Sequence, residues 1–169
     1  MSILTEEFVT GQVLEAADVT NSALQSWIRR GLIVGHRGQS IDMPGSPGIR
    51  RKFSFFNVIE IALAKALIDV GVELAAAFQA ASDFAHSGDE NRLPGLPFTG
   101  ERHTLLCVAG QRSTVFAWTP GQDPTADIQN ELGWPLGWST VDVGEVFNRV
   151  AVALGHHPQA VIDEEYGEG

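Results

Sequence analysis

Disulfides are the first thing this chain cannot have: of its 169 residues only Cys107 is a cysteine. One thiol closes no internal bridge, so the fold has to be held by packing, and such a composition fits a reducing compartment. Cys107 lies in an apolar run, where a buried, inert thiol is the ordinary outcome. Apolar stretches of the ~20 residues needed to cross a bilayer are missing too. Met1-Ser2-Ile3-Leu4 lacks the basic-then-apolar character of a leader. These absences lead to the expectation of a cytoplasmic protein with no membrane contact. Catalytic signals are equally sparse: there is no glycine-rich phosphate loop, no nucleophile elbow and no pair of carboxylates in a recognisable frame. His156 and His157 are adjacent, so their side chains diverge, and no Cys or acid stands at metal-ligand spacing from them. No catalytic residue, metal or cofactor is expected.

Positive charge is scarce as well. Eleven Lys and Arg face 21 Asp and Glu, a net charge of −10. The distribution is uneven, however. Residues 1–56 hold six cations against five acids, whereas residues 57–169 hold five against sixteen. The N-terminal part is therefore free to meet an anionic partner, with the acidic remainder turned away from it or toward another protein. A hydrophobic content of 44% is ordinary for a globular chain, and the length suits one domain with a smaller one appended.

What is present is most specific in residues 8–33, FVTGQVLEAADVTNSALQSWIRRGLI, which read as two short helices joined by a tight turn. Thr10 is placed to cap the first, whose apolar positions are Val13, Leu14 and Ala17. Asp18 tolerates the left-handed backbone that ends a helix, and Val19 supplies an apolar plug at the turn. Thr20 caps the second helix. There Leu24, Trp27, Ile28 and Gly31 form one face, and Asn21, Ser22, Gln25 and Arg29 the other. A bare two-helix corner of an all-α fold has the same appearance.

The segment that follows favours a nucleic-acid reading. Residues 34–38 suit a strand, Gln39 to Gly48 (QSIDMPGSPG) a loop of turn formers, and residues 49–53 a returning strand. The hairpin is a wing whose return strand carries Arg50, Arg51 and Lys52. Adjacent cations at a strand edge also discourage aggregation, but beside a helix-turn-helix they suit phosphate oxygens, whose neutralisation releases counterions.

From Phe8 to about Ala80 the chain resembles the DNA-binding domain of MerR-type transcriptional regulators. The matching residues are Phe8, Leu24, Trp27, Gly31, Leu32, Arg51, Phe53, Ser54 and Val58. Gln25 stands where that family usually has a phosphate-contacting Arg, Ser26 stands at an aromatic position, and Ile28 and Asn57 replace acids. The variant LQSWIRRGLI is more similar to winged-helix domains of small phage and mobile-element proteins than to metal or drug sensors. The resemblance implies the fold; it does not imply activation by promoter untwisting.

Beyond the wing, Ser54 is placed to cap a third helix to about Val70, with Gly71 as its stop. A fourth helix, Val72 to about His86, is rich in alanine, which suits either a dimerisation surface or packing on the third helix. Residues 88–103 read as a linker. Residues 104–155 read as a small αβ unit, with a hairpin around Gly110, a short helix opened by Asp123-Pro124, a strand over Ser139 to Val143 and a helix from Gly144 to Leu154. Phe116, Trp118, Trp134 and Trp138 either line an apolar pocket with His103 or fill the core of this unit. Residues 156–169 read as a flexible acidic tail.

The expected fold is thus α+β: an N-terminal winged helix-turn-helix domain over residues 1–87, followed by helices and a small αβ C-terminal unit. The expected function is that of a sequence-specific regulator binding double-stranded DNA as a homodimer. Asn21, Ser22 and Gln25 are the candidates for base edges. Thr10, Thr20, Arg29, Arg37, Arg50, Arg51 and Lys52 are the candidates for phosphates. Two alternatives stay open: a structural DNA-binding protein of a phage or mobile element, of excisionase or packaging type, and an adaptor that binds protein through its acidic C-terminal half.

Overall fold

The computed structural model describes residues 1–34 and 50–167. Arg37, the loop of the expected wing and all of its first strand but Val34 lie outside the described residues. Within them the protein is α+β, with two small sheets and seven α-helices.

After a short 3-10 turn at Ile3–Thr5, strand β1 (Glu7–Val9) runs into helix α1 (Thr10–Ala16). Thr10 is the first residue of α1 rather than its cap. Gln12 does the capping, its Oε1 accepting from the Val9 N–H at 3.0 Å. Asp18 takes the left-handed conformation at φ 51°, and Thr20 caps helix α2 (Asn21–Arg29) by accepting from the Ala23 N–H at 3.2 Å. Strand β2 (Lys52–Ser54) overlaps the end of the expected return strand, residues 49–53. It pairs antiparallel with β1, placing Phe8 opposite Phe53, both buried.

Ser54 opens helix α3 (Phe55–Asp69), and Gly71, at φ 94°, turns the chain into helix α4 (Leu74–His86), capped by the Glu73 carboxylate. Bonds to the Ala75 and Ala76 N–H groups hold that carboxyl below the usual range. Of the six alanines of α4, Ala75 is exposed and five face inward: Ala76, Ala77, Ala80, Ala81 and Ala85 are buried, with α3 the main partner. Their small side chains are consumed in packing within the chain. A three-stranded antiparallel sheet follows, ordered β4 (Arg112–Trp118), β3 (His103–Ala109), β5 (Ser139–Asp142). Helix α5 (Thr125–Glu131) covers a small apolar cluster of Cys107, Ile128 and Leu132. Helix α6 (Val143–Ala153), capped by Asp142, packs against α3, α1 and β3.

Two segments differ from the sequence reading. Residues 156–167, expected as part of a flexible tail, contain helix α7 (Pro158–Tyr166). Val161 on α7 is buried, and the Tyr166 hydroxyl donates to the Pro97 carbonyl at 2.8 Å while accepting from the Leu93 N–H at 3.0 Å. Residues 88–103, expected as a linker, are exposed at both ends but dip into the interior between residues 92 and 97. Leu96 and Arg92 are buried, and Arg92 donates to four main-chain carbonyls, those of Phe84, Ser87, Leu93 and Leu96. One continuous core therefore runs from Ile3 to Val161, with Phe55 of α3 edge-on to Phe147 of α6 at 6.4 Å. The physical reason is shared: polar, Gly- and Pro-rich composition marks irregular backbone, but irregular backbone can still be satisfied from inside by an arginine and a tyrosine.

Candidate nucleic-acid interface

Helix α2 has two faces, and its inner one is narrow. Leu24 and Trp27 are its buried residues, and Trp27 stands edge-on to Phe78 of α4, ring centroids 5.1 Å apart. The opposite face carries Asn21, Ser22, Arg29 and Arg30, all exposed, with Gln25 half-buried at its margin. The Thr20 cap, the Asp18 turn and the two apolar anchors are what fix this face outward.

Three of the sequence-selected residues come together. Arg51, just before β2, donates from Nη1 to Gln25 Oε1 at 3.1 Å, and Gln25 Nε2 donates to Asn21 Oδ1 at 3.2 Å. The others are placed differently. Lys52 is ion-paired across the small sheet with Glu7, so its charge is partly offset, although both side chains are more than half exposed and the pair is worth little. Arg50 is exposed, Thr10 is half-buried at the start of α1, and the Thr20 hydroxyl accepts from its own helix.

A buried polar cluster between α3, the end of α4 and Val34 is one that sequence reasoning did not single out. Glu60, fully buried in the middle of α3, accepts from the Val34 N–H at 2.8 Å through Oε1 and meets His86 Nε2 at 3.0 Å through Oε2. Asn57, one turn earlier, donates from Nδ2 to the Val34 carbonyl at 2.9 Å, while its Oδ1 accepts from the Ser54 N–H and hydroxyl. An aspartate there would have no donor for that carbonyl, so the amide at Asn57 has a local reason. Both main-chain polar groups of Val34 are thus held by α3. The signal available in the sequence was a single Glu inside the apolar run FFNVIEIALAKAL.

Burial pushes the Glu60 carboxyl above the ordinary range, against the lowering effect of His86, the Val34 N–H and Asn57. Between its unfolded and folded values the native state holds a proton that the unfolded chain has lost. Its contribution to stability is therefore complete below the ordinary Glu range and is lost as pH rises through the raised value. Glu60→Gln retains an acceptor for Val34 and removes the titration. In urea unfolding from pH 4 to pH 8, wild-type stability should fall with rising pH relative to this variant. A constant difference between the two would show that Glu60 titrates normally.

Elsewhere, a cleft of about 490 Å³ is lined by Arg102, His103, Asp142 and Glu145 among others, and a groove of about 410 Å³ by Trp138, Gln111 and Glu73 among others. Phe116, Trp118, Trp134 and Trp138 do not converge on either. Trp134 is exposed, and Trp118 lies against His103 with ring centroids 5.2 Å apart and planes tilted by 43°. Cys107 is buried, burial pushing its thiol upward, with the Thr140 hydroxyl 3.4 Å from its sulfur. Among the described residues no three His, Cys, Asp or Glu side chains group as metal ligands, and no helix is long and apolar enough to cross a membrane. In comparison with known proteins, no family model and no curated sequence matches the chain.

Proposed function

We propose that the chain is a sequence-specific transcriptional regulator of MerR-like type, a cytoplasmic homodimer that binds double-stranded DNA through α2 and the cationic segment preceding β2. One observation carries the reading: a side-chain-capped helix, anchored by Leu24 and Trp27, turns Asn21, Ser22, Gln25 and Arg29 to solvent beside Arg51. A helix of this size fits the major groove, and short polar side chains at its leading end are the ones that reach base edges. Arg29, Arg50 and Arg51, with Arg37 and Lys52 beside them, would hold phosphates, and Thr10 and Thr20 would contribute hydroxyl contacts. One short helix reads too few bases for specificity in a genome, which is why paired half-sites and a dimer belong to the proposal.

Fluorescence anisotropy with duplex DNA over a salt series tests it. Each phosphate neutralised adds about −0.9 to the slope of log affinity against log salt. Three such contacts per subunit would cost about fortyfold per bound subunit between 50 and 200 mM salt. Arg50→Ala should flatten the slope by nearly one contact. Salt-independent affinity, or no binding, would reject the reading in favour of the adaptor.

A further inference from the structure

The outer face of α2 has a fixed hydrogen-bond polarity, set by a group that can only donate. A guanidinium has no acceptor, so the Gln25 atom that Arg51 Nη1 approaches at 3.1 Å has to be the carbonyl oxygen. The Gln25 amide nitrogen then points the other way. It too is only a donor, so Asn21 meets it with Oδ1 at 3.2 Å and turns its own amide nitrogen away from Gln25. Among the described residues, that nitrogen donates to nothing.

The consequence concerns which base such a face can read. Bidentate recognition of adenine needs one carboxamide to offer its oxygen to N6 and its nitrogen to N7 together. Gln25 has its oxygen turned to Arg51 by a charge-assisted bond, the stronger kind, and one amide proton turned to Asn21. Each carboxamide oxygen is thus oriented onto a donor and keeps one lone pair, whereas three amide protons are turned outward: both of Asn21 Nδ2 and the second of Gln25 Nε2. Guanine presents two adjacent acceptors in the major groove, N7 and O6, and is the base that a face rich in outward donors complements best. Resting on the DNA-binding reading above, we propose that Asn21 and Gln25 read guanine rather than adenine, with Arg51 as the positioning residue that sets this choice.

Selection of bound duplexes from a random pool by the full chain, followed by competition binding, tests the proposal. The relevant base position is the one whose preference Gln25→Ala erases. Wild-type protein should prefer guanine there. Arg51→Met frees Gln25 Oε1 and should move the preference toward adenine, a change on the order of tenfold in the guanine-to-adenine ratio. Arg51→Lys keeps a donor-only cation and should retain guanine, which separates positioning from a general loss of phosphate contact. Circular dichroism establishes that each variant is folded. An adenine preference in wild type, a ratio unmoved by Arg51→Met, or no position sensitive to Gln25→Ala would overturn the polarity assignment while leaving DNA recognition in place. Recovery of no sequence at all would overturn both.

Discussion

Arg92→Met should lower the stability of the protein by about 3–5 kcal/mol, read as a fall in the urea midpoint with an unchanged slope. Arg92 is 5% exposed, and its guanidinium lies 4.2 Å over the Phe84 ring. Methionine can cover that ring nearly as well, so little of the effect comes from packing. The loss falls on the carbonyls of Phe84, Ser87, Leu93 and Leu96, which accept from Nη1 and Nη2. Phe84 and Leu93 also accept from the Gly95 and Leu96 N–H groups, each at 3.2 Å, so the loss weighs most on the Ser87 and Leu96 carbonyls. Leaving a buried acceptor without a donor costs roughly 1–3 kcal/mol, and a bond from a charged group is worth about 1.5–3. Part of this is offset, because Arg92 itself is expensive: burial pulls its pKa down, and its Nε is buried without a hydrogen-bond partner. Arg92→Lys should fall between the two, since one ammonium cannot span four carbonyls. A loss under about 1 kcal/mol for Arg92→Met would mean that residues 88–103 are a linker after all, with carbonyls hydrated in solution.

That segment shows where sequence reasoning stopped and why. The features read correctly were local ones. The Thr20 and Ser54 caps, the left-handed Asp18, the Gly71 stop and the hairpin around Gly110 each depend on residues within a few positions of one another. What went unread was set by distant partners. Strand β1 has only three residues and exists because Glu7–Val9 meets Lys52–Ser54 far along the chain. Helix α7 is fixed by Tyr166 reaching Leu93 and Pro97, so its acidic, glycine-ended sequence looked like a tail. Glu60 was hidden in an apolar helix because its partners, Val34 and His86, lie 26 residues away on either side. At the candidate interface the identities of Asn21, Gln25 and Arg51 were legible. Their bonding to one another was not, because the Gln25–Arg51 contact joins α2 to the segment before β2.

Trp27→Ala should be comparably severe, about 3–5 kcal/mol, and should remove the ordered interface along with it. Trp27 is 8% exposed and, with Leu24, supplies the buried anchoring of a nine-residue helix. A helix this short is marginal on its own, so α2 persists because its apolar face is docked, not because of its propensity. Truncation opens a cavity against Phe78, which also loses an edge-on ring contact worth about 0.5–1.5 kcal/mol. Trp27→Phe refills much of that space and should recover more than half of the loss. The functional consequence separates seating from reading, because Trp27 faces Phe78 and not the exposed side of α2. Under the proposed function, Trp27→Ala should weaken specific DNA binding more than non-specific binding, even at temperatures where the rest of the core stays folded. Phosphate attraction tolerates a loosened helix, whereas base reading needs side chains held in register. Hydrogen exchange should show the α2 amides opening before those of α3 in this variant. If α2 stays as protected as α3, or if the midpoint shifts by less than about 1 kcal/mol, the seat lies elsewhere and the outer face is not held by Trp27.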